Sequence, residues 1–283
     1  MSTKLTIPEL QAKVEAEEPI SMITCYDYPS ARIIDEAGVD IVLVGDSLAM
    51  TMLGYPNTLP ATMDIMIVFA RAVARACQRA FVIGDMPYMS YQVSVPEAIR
   101  NAGRFMAEAG VDAVKLEGGL TAIAAVEGIV GAGIPVMGHL GLTPQSMSAI
   151  GGYKVQGRTT DAAIALLDDA LALEEAGCFA ILLELIPARV AEIMREKLSI
   201  PTISIGSGPG CDGHCQIYHD AIGMFEAFTP RHAKRYVEMG TLLREAMKQF
   251  VADIKEHRYP GEEHSFKVPN DVLRAFLDYA QGR

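Results

Sequence analysis

The stretch DIVLVGD, residues 40–46, decides how the rest of the chain is read: four aliphatic residues, Ile41 to Val44, stand in an unbroken run between two aspartates. A strand with no polar face belongs in a parallel sheet buried on both sides, because a one-sided antiparallel strand alternates apolar with polar. Runs of the same kind recur as SMITCYD (21–27), FVIGDMP (81–87), AVKLEG (113–118), PVMGHLG (135–141), AILLELI (180–186) and PTISIGSG (201–208). Each is followed by a longer stretch with helical spacing. HCQIYH (214–219) supplies a weaker eighth run, before an amphipathic helix expected from near Pro230 toward Tyr259. Strands alternating with helices eight times over predict an α/β fold, a single-domain (β/α)8 TIM barrel. An open doubly wound sheet is the structural alternative, but no GxGxxG or GxxxxGK[ST] supports a nucleotide-binding version of it.

The connections agree with this reading. Glu-Ala-Gly ends the helical stretch before strands two, four and six, at Gly38, Gly110 and Gly177, as helix C-caps. Long connections follow strand two (48–62) and strand five (142–158), and the second contains GGYKVQGR, whose glycines and mixed charges suit a mobile lid.

Composition narrows the function. With 283 residues, half of them hydrophobic, the chain can bury one large core. Its 24 basic and 35 acidic residues leave a net charge of -11, which repels a phosphate backbone, so no nucleic-acid partner is expected. No apolar run reaches the roughly 18 residues that span a bilayer. The first twenty residues carry Glu and Lys where a signal peptide would be apolar. A cytoplasmic protein with no membrane partner is expected, and its five scattered cysteines are read as reduced thiols.

Polar residues interrupt or end the apolar runs at Asp46, Asp85, Lys115, Glu117, His139, Glu184, Ser204 and Ser207. In a TIM barrel the C-terminal strand ends converge on one face, so these side chains are expected around one pocket. Asp46 and Asp85, ending adjacent strands, could share one hard divalent cation such as Mg²⁺, with Glu117 on the metal or its waters. A single aspartate there could instead cap the following helix. Lys115 and Glu117, two apart, share a strand face. The lysine is read as electrostatic rather than as a Schiff base. His139 could donate to a substrate oxygen or be a satisfied core histidine. Glu184, among Ile, Leu and Leu, should have a raised pKa suited to acid/base catalysis, with a buried structural carboxylate as the alternative. Cys211, His214, Cys215 and His219 lack the paired spacing of a structural zinc site, and a zinc role is discounted.

Collinear segments, among them TCYDYPSARI (24–33), VGDSLAM (44–50), GYPNTLPAT (54–62), GDMPYMSYQ (84–92), VKLEGG (114–119), GHLGLTPQS (138–146), GGYKVQGR (151–158), DGHCQIYHD (212–220) and YPGEEHSF (259–266), resemble the ketopantoate hydroxymethyltransferase family. The resemblance covers residues 21–266, the catalytic barrel, and leaves 1–20 as an N-terminal arm and 267–283 as a C-terminal extension. It implies membership of the phosphoenolpyruvate mutase and isocitrate lyase superfamily and a place in pantothenate and coenzyme A biosynthesis. The implied reaction transfers a one-carbon unit from the co-substrate 5,10-methylenetetrahydrofolate to 3-methyl-2-oxobutanoate, through a Mg-stabilised enolate, giving 2-dehydropantoate. By position, Asp46 and Asp85 match the ligands of one Mg²⁺ per subunit and Glu117 the carboxylate beside it. Ser47, Lys115 and His139 match substrate contacts and Glu184 the acid/base, moving a proton either at C3 or at the folate nitrogen. A homo-oligomer, commonly a decamer, is implied too.

The chain departs from the family pattern in places. Ser204 and Ser207 stand where Gly and Ala are usual, adding hydroxyls expected near the pocket. Val68 and Phe69 replace Tyr-His, Ala49 replaces a common Gly, and Cys211 to His214 replace Thr-Asp-Gly-Gln. Two other readings compete: a paralogous metal-dependent aldolase or lyase acting on another 2-oxo acid, and a non-catalytic scaffold or metabolite-binding protein. A metal site kept together with an acid/base argues against the latter.

Overall fold

In the computed structural model, which describes residues 4–283, the eight expected runs are eight parallel strands, each bonded to the next and the last to the first. They are β1 (Ile20–Thr24), β2 (Ile41–Val44), β3 (Phe81–Asp85), β4 (Ala113–Glu117), β5 (Val136–Gly141), β6 (Ala180–Glu184), β7 (Thr202–Ile205) and β8 (Gly213–Gln216). Pairing of β1 with β8 closes the barrel and removes the open-sheet alternative. The weak eighth run is therefore a strand, though it stops at Gln216.

Period-two alternation sorts each strand into an inner and an outer row. Outward residues such as Val42, Val44, Val114, Leu116, Ile181 and Leu183 pack under the surrounding helices. Inward residues, including Ile41, Leu43, Phe81, Ile83, Ala113, Met137, Ala180, Leu182 and Ile203, fill the barrel itself. Leu10, on the helix Ile7–Glu15, belongs to this inner cluster and is 1% exposed. A capping box between Thr6 and Glu9 starts that helix. The three Glu-Ala-Gly stops behave as read: Gly38, Gly110 and Gly177 take φ of +88°, +75° and +95°, the left-handed conformation in which glycine ends a helix without strain.

The helix expected from Pro230 begins nine residues later, as Met239–Lys255. Backbone N–H groups before it are bonded elsewhere: Lys234 N donates to Gln216 Oε1 at 2.7 Å and Tyr236 N to Ala221 O at 2.8 Å. Pinned to the end of β8 and to the short helix Tyr218–Ala221 after it, they cannot make helical bonds. The chain divides into two compact units, one through Tyr236 and one from Val237 to Arg283. The second contains the helices Met239–Lys255 and Asn270–Gln281. No helix among the described residues is long and apolar enough to cross a membrane.

Candidate active site

The inward rows are apolar at the bottom of the barrel and polar at the top. On β3 the row reads Phe81, Ile83, Asp85; on β4 Ala113, Lys115, Glu117; on β5 Met137, His139; on β6 Ala180, Leu182, Glu184. Parallel register then sets Asp85 beside Lys115, Glu117 beside His139, and Gly141 beside Glu184. Lys115 and His139 lie within their strands, one layer below the rim where the sequence reading put them. Asp46 follows β2, and its N–H donates to Asp85 Oδ2 at 3.0 Å.

A line of polar contacts runs through the pocket. Lys115 Nζ lies 2.7 Å from Asp85 Oδ1 and 3.2 Å from His139 Nδ1. Glu117 Oε1 is 3.6 Å from His139 Nδ1, and His139 Nε2 is 3.1 Å from Glu184 Oε2. An ammonium only donates, so Nδ1 accepts from Lys115 and the ring proton sits on Nε2, close to Glu184 but with no hydrogen-bond partner. Burial, with the Lys115 charge beside it, holds the His139 pKa well below the usual imidazole range, which keeps the ring neutral.

Five residues of this set are almost wholly buried: Asp46, Asp85, Lys115, Glu117 and His139 are each 5% exposed or less. Burial, then the Asp85 charge, pushes Asp46 up to about 7. Burial and the Asp46 charge raise Glu117 well above the carboxylate range. Burial raises Glu184 to about 8, with Lys115 pulling the other way. For Lys115 burial alone would lower the pKa, but Asp85, Glu117 and Asp46 outweigh it and the net shift is upward.

Four carboxylates thus face one ammonium and a neutral imidazole, and Asp85 Oδ1 has no partner but Lys115. Hard oxygen donors crowded so that their pKa values rise fit a divalent cation such as Mg²⁺, which would take the place of their protons. Asp46 and Asp85 are the pair that would hold it. Glu117 stands beside them, its Oε2 accepting from Gln145 N at 3.0 Å.

Gln145 and Tyr91 are site residues that the sequence reading did not single out. Gln145 Nε2 donates to Asp46 Oδ2 and to Met86 O, both at 3.0 Å, and its side chain locks the first carboxylate in place. The Tyr91 hydroxyl accepts from Glu117 N at 3.1 Å and lies 3.0 Å from Gln145 Oε1. Both occur within the quoted segments GHLGLTPQS and GDMPYMSYQ, but neither carries a charge that breaks an apolar strand.

Ser47 is brought to the same end of the barrel, its Oγ 2.8 Å from the Tyr26 hydroxyl. Within the segment 151–158, Gln156 N donates to Leu185 O at 2.9 Å, so this loop adjoins the turn after Glu184. Ser204 and Ser207 do not present their hydroxyls to a pocket: they are 3% and 0% exposed and bonded to backbone. The other departures also avoid the site. Val68 is exposed on the helix Met63–Ala76, Phe69 packs against the outer core, and His214 is exposed. Cys215, next to His214, points into the barrel, and adjacent residues on opposite strand faces cannot share a zinc ion.

Comparison with known proteins gives a consistent result. A profile described as ketopantoate hydroxymethyltransferase matches residues 4–262. A 3-methyl-2-oxobutanoate hydroxymethyltransferase of Carboxydothermus hydrogenoformans is 50% identical over 270 residues, covering 95% of this chain and 98% of the relative. Another, from Chloroflexus aurantiacus, is 49% identical over 274 residues, covering 97% of each. Among solved structures, phosphonopyruvate hydrolase in complex with oxalate and Mg²⁺ superimposes with a TM-score of 0.59 at 11% identity, covering 98% of this chain and 97% of that one. 2,3-Dimethylmalate lyase, a member of the PEP mutase/isocitrate lyase superfamily, does so with a TM-score of 0.58 at 17% identity, covering 98% and 96%. At such identities the structural likeness concerns the fold.

Proposed function

The chain belongs to the ketopantoate hydroxymethyltransferase family, and on that premise we propose that it transfers a hydroxymethyl group from 5,10-methylenetetrahydrofolate to C3 of 3-methyl-2-oxobutanoate, giving 2-dehydropantoate. The observation that carries this reading is the continuous line from Asp85 through Lys115 and His139 to Glu184, beside the Asp46 carboxylate. It joins a cation-binding pair to a base in one pocket.

Asp46 and Asp85 would hold Mg²⁺, with Glu117 beside it. When bound there, the cation would supply Lewis-acid polarisation of the substrate that acidifies its C3 proton. Lys115, its charge sustained by the surrounding carboxylates, adds a fixed positive charge for the anionic substrate. Ser47, steadied by Tyr26, contacts the substrate, as does His139. Glu184, whose pKa of about 8 leaves a fraction of it ionised near neutral pH, takes the C3 proton, and His139 Nε2 stands 3.1 Å from its carboxylate. The C3 carbanion then forms the new bond to the folate-borne methylene carbon; both bonds from that carbon to the folate nitrogens break, water adds its hydroxyl to the transferred group, and tetrahydrofolate leaves with two protons on its nitrogens, one taken from C3 by Glu184 and one from that water.

We also place the enzyme in the cytoplasm, in keeping with its five free thiols, as a homo-oligomer, the decamer common in the family. Purified protein given 3-methyl-2-oxobutanoate, Mg²⁺ and 5,10-methylenetetrahydrofolate should form 2-dehydropantoate. Turnover of a 2-oxo acid that ignores the folate would instead mark an aldolase or lyase, and no turnover of either kind would leave a binding protein.

A further inference from the structure

Glu184 ends β6, and the residue after it, Leu185, has φ of +47°, the left-handed region that a leucine rarely enters and that must be held by its surroundings. Leu185 N donates to Ile205 O at 3.0 Å and Leu185 O accepts from Gln156 N at 2.9 Å. Ser207 closes the turn from outside. Its hydroxyl donates to Leu183 O at 2.8 Å and accepts from Ile186 N at 3.0 Å, so one side chain bridges the residues that flank Glu184 and Leu185. Ser204 Oγ in turn accepts from Ser207 N at 3.0 Å and fixes where that hydroxyl stands.

A serine hydroxyl has one proton to give, and at Ser207 it is committed to Leu183 O. With both serines buried, neither is available to a substrate. We propose that Ser207, anchored by Ser204, is a positioning residue for Glu184: the hydroxyl clamp holds the left-handed turn and thereby keeps Glu184 Oε2 within 3.1 Å of His139 Nε2. Gly and Ala, usual at these two positions in the family, have no hydroxyl with which to make the clamp. An alanine at 207 leaves the buried Ile186 N–H without a partner and Leu183 O without its second donor, and the turn regains the freedom to relax. The inference rests on Glu184 being the base.

Three measurements on the full-length protein test it, with Glu184→Gln as the control. In metal-free Ser207→Ala the Ile186 amide should exchange with solvent faster than in the parent. With Mg²⁺ and both substrates, well below the melting temperature, kcat should fall by about tenfold, part of the roughly 10²-fold that a 1 Å misplacement can cost, while KM for the 2-oxo acid holds. Unchanged kcat in Ser207→Ala, or a raised KM with kcat intact, overturns the positioning role whatever the melting temperature does. Glu184→Gln turning over at the parental rate would instead overturn the role of Glu184, and with it this inference. Should Ser207→Ala fail to fold, Ser204→Ala removes a single hydrogen bond of the clamp and is read by the same split between kcat and KM.

Discussion

Glu184 is 16% exposed at its side chain, yet burial still raises its pKa to about 8. The folded state therefore holds this proton more tightly than the unfolded chain, in which a glutamate titrates near 4.3. Its contribution to stability is full below the unfolded value and is lost as pH rises toward about 8. Glu184→Gln cannot titrate, so in metal-free protein the parent's stability should fall relative to the variant's between those limits, as read by urea unfolding at several pH values. A difference independent of pH would show that Glu184 is not perturbed. The residues of this kind that the sequence revealed were charged ones inside apolar runs, because an ionised group on a barrel strand needs a reason to be there. Gln145 and Tyr91 escaped for the same reason: a neutral amide and a phenol in loops break no pattern, and only the fold shows that they hold Asp46 and Glu117.

At the scale of elements, the site depends on how strands hand over to loops. Gly141, at the end of β5, has φ of +94°, and a Cβ there would stand 2.1 Å from Glu184 O. That carbonyl accepts from Leu142 N at 2.8 Å, so β5 and β6 are tied together at Glu184. Gly141→Ala should cost about 2 kcal/mol or more in unfolding free energy, from the backbone conformation and the close contact together, and should lower turnover as well. Parental stability in that variant would show that the strand ends yield more easily than these contacts imply. Strand positions were legible because parallel strands buried on both faces read as unbroken apolar runs. The start of the helix Met239–Lys255 was not, since the bonds that keep residues 234 and 236 out of it come from Gln216 and Ala221, far back in sequence.

For the whole molecule, the barrel's closed order puts every inward row on one axis, which is why a short carboxylate, a lysine, a histidine and a glutamate from separate strands meet. The second unit exposes Met247, Phe250 and Val251 on one helix and Phe276 on the other, apolar area of the kind that subunit contacts bury. Native mass spectrometry should give ten times the 30.5 kDa of the chain, whereas a lone subunit at working concentration would contradict the decamer. The central claim, that Mg²⁺ at Asp46 and Asp85 and the base Glu184 act together at C3, is tested most directly by NMR of 3-methyl-2-oxobutanoate in D₂O without folate. The parent enzyme with Mg²⁺ should exchange the C3 proton, and both chelation and Glu184→Gln should stop it, the variant by about 10² to 10⁴ in rate. Exchange at the parental rate in Glu184→Gln, or in the chelated parent, would contradict the claim.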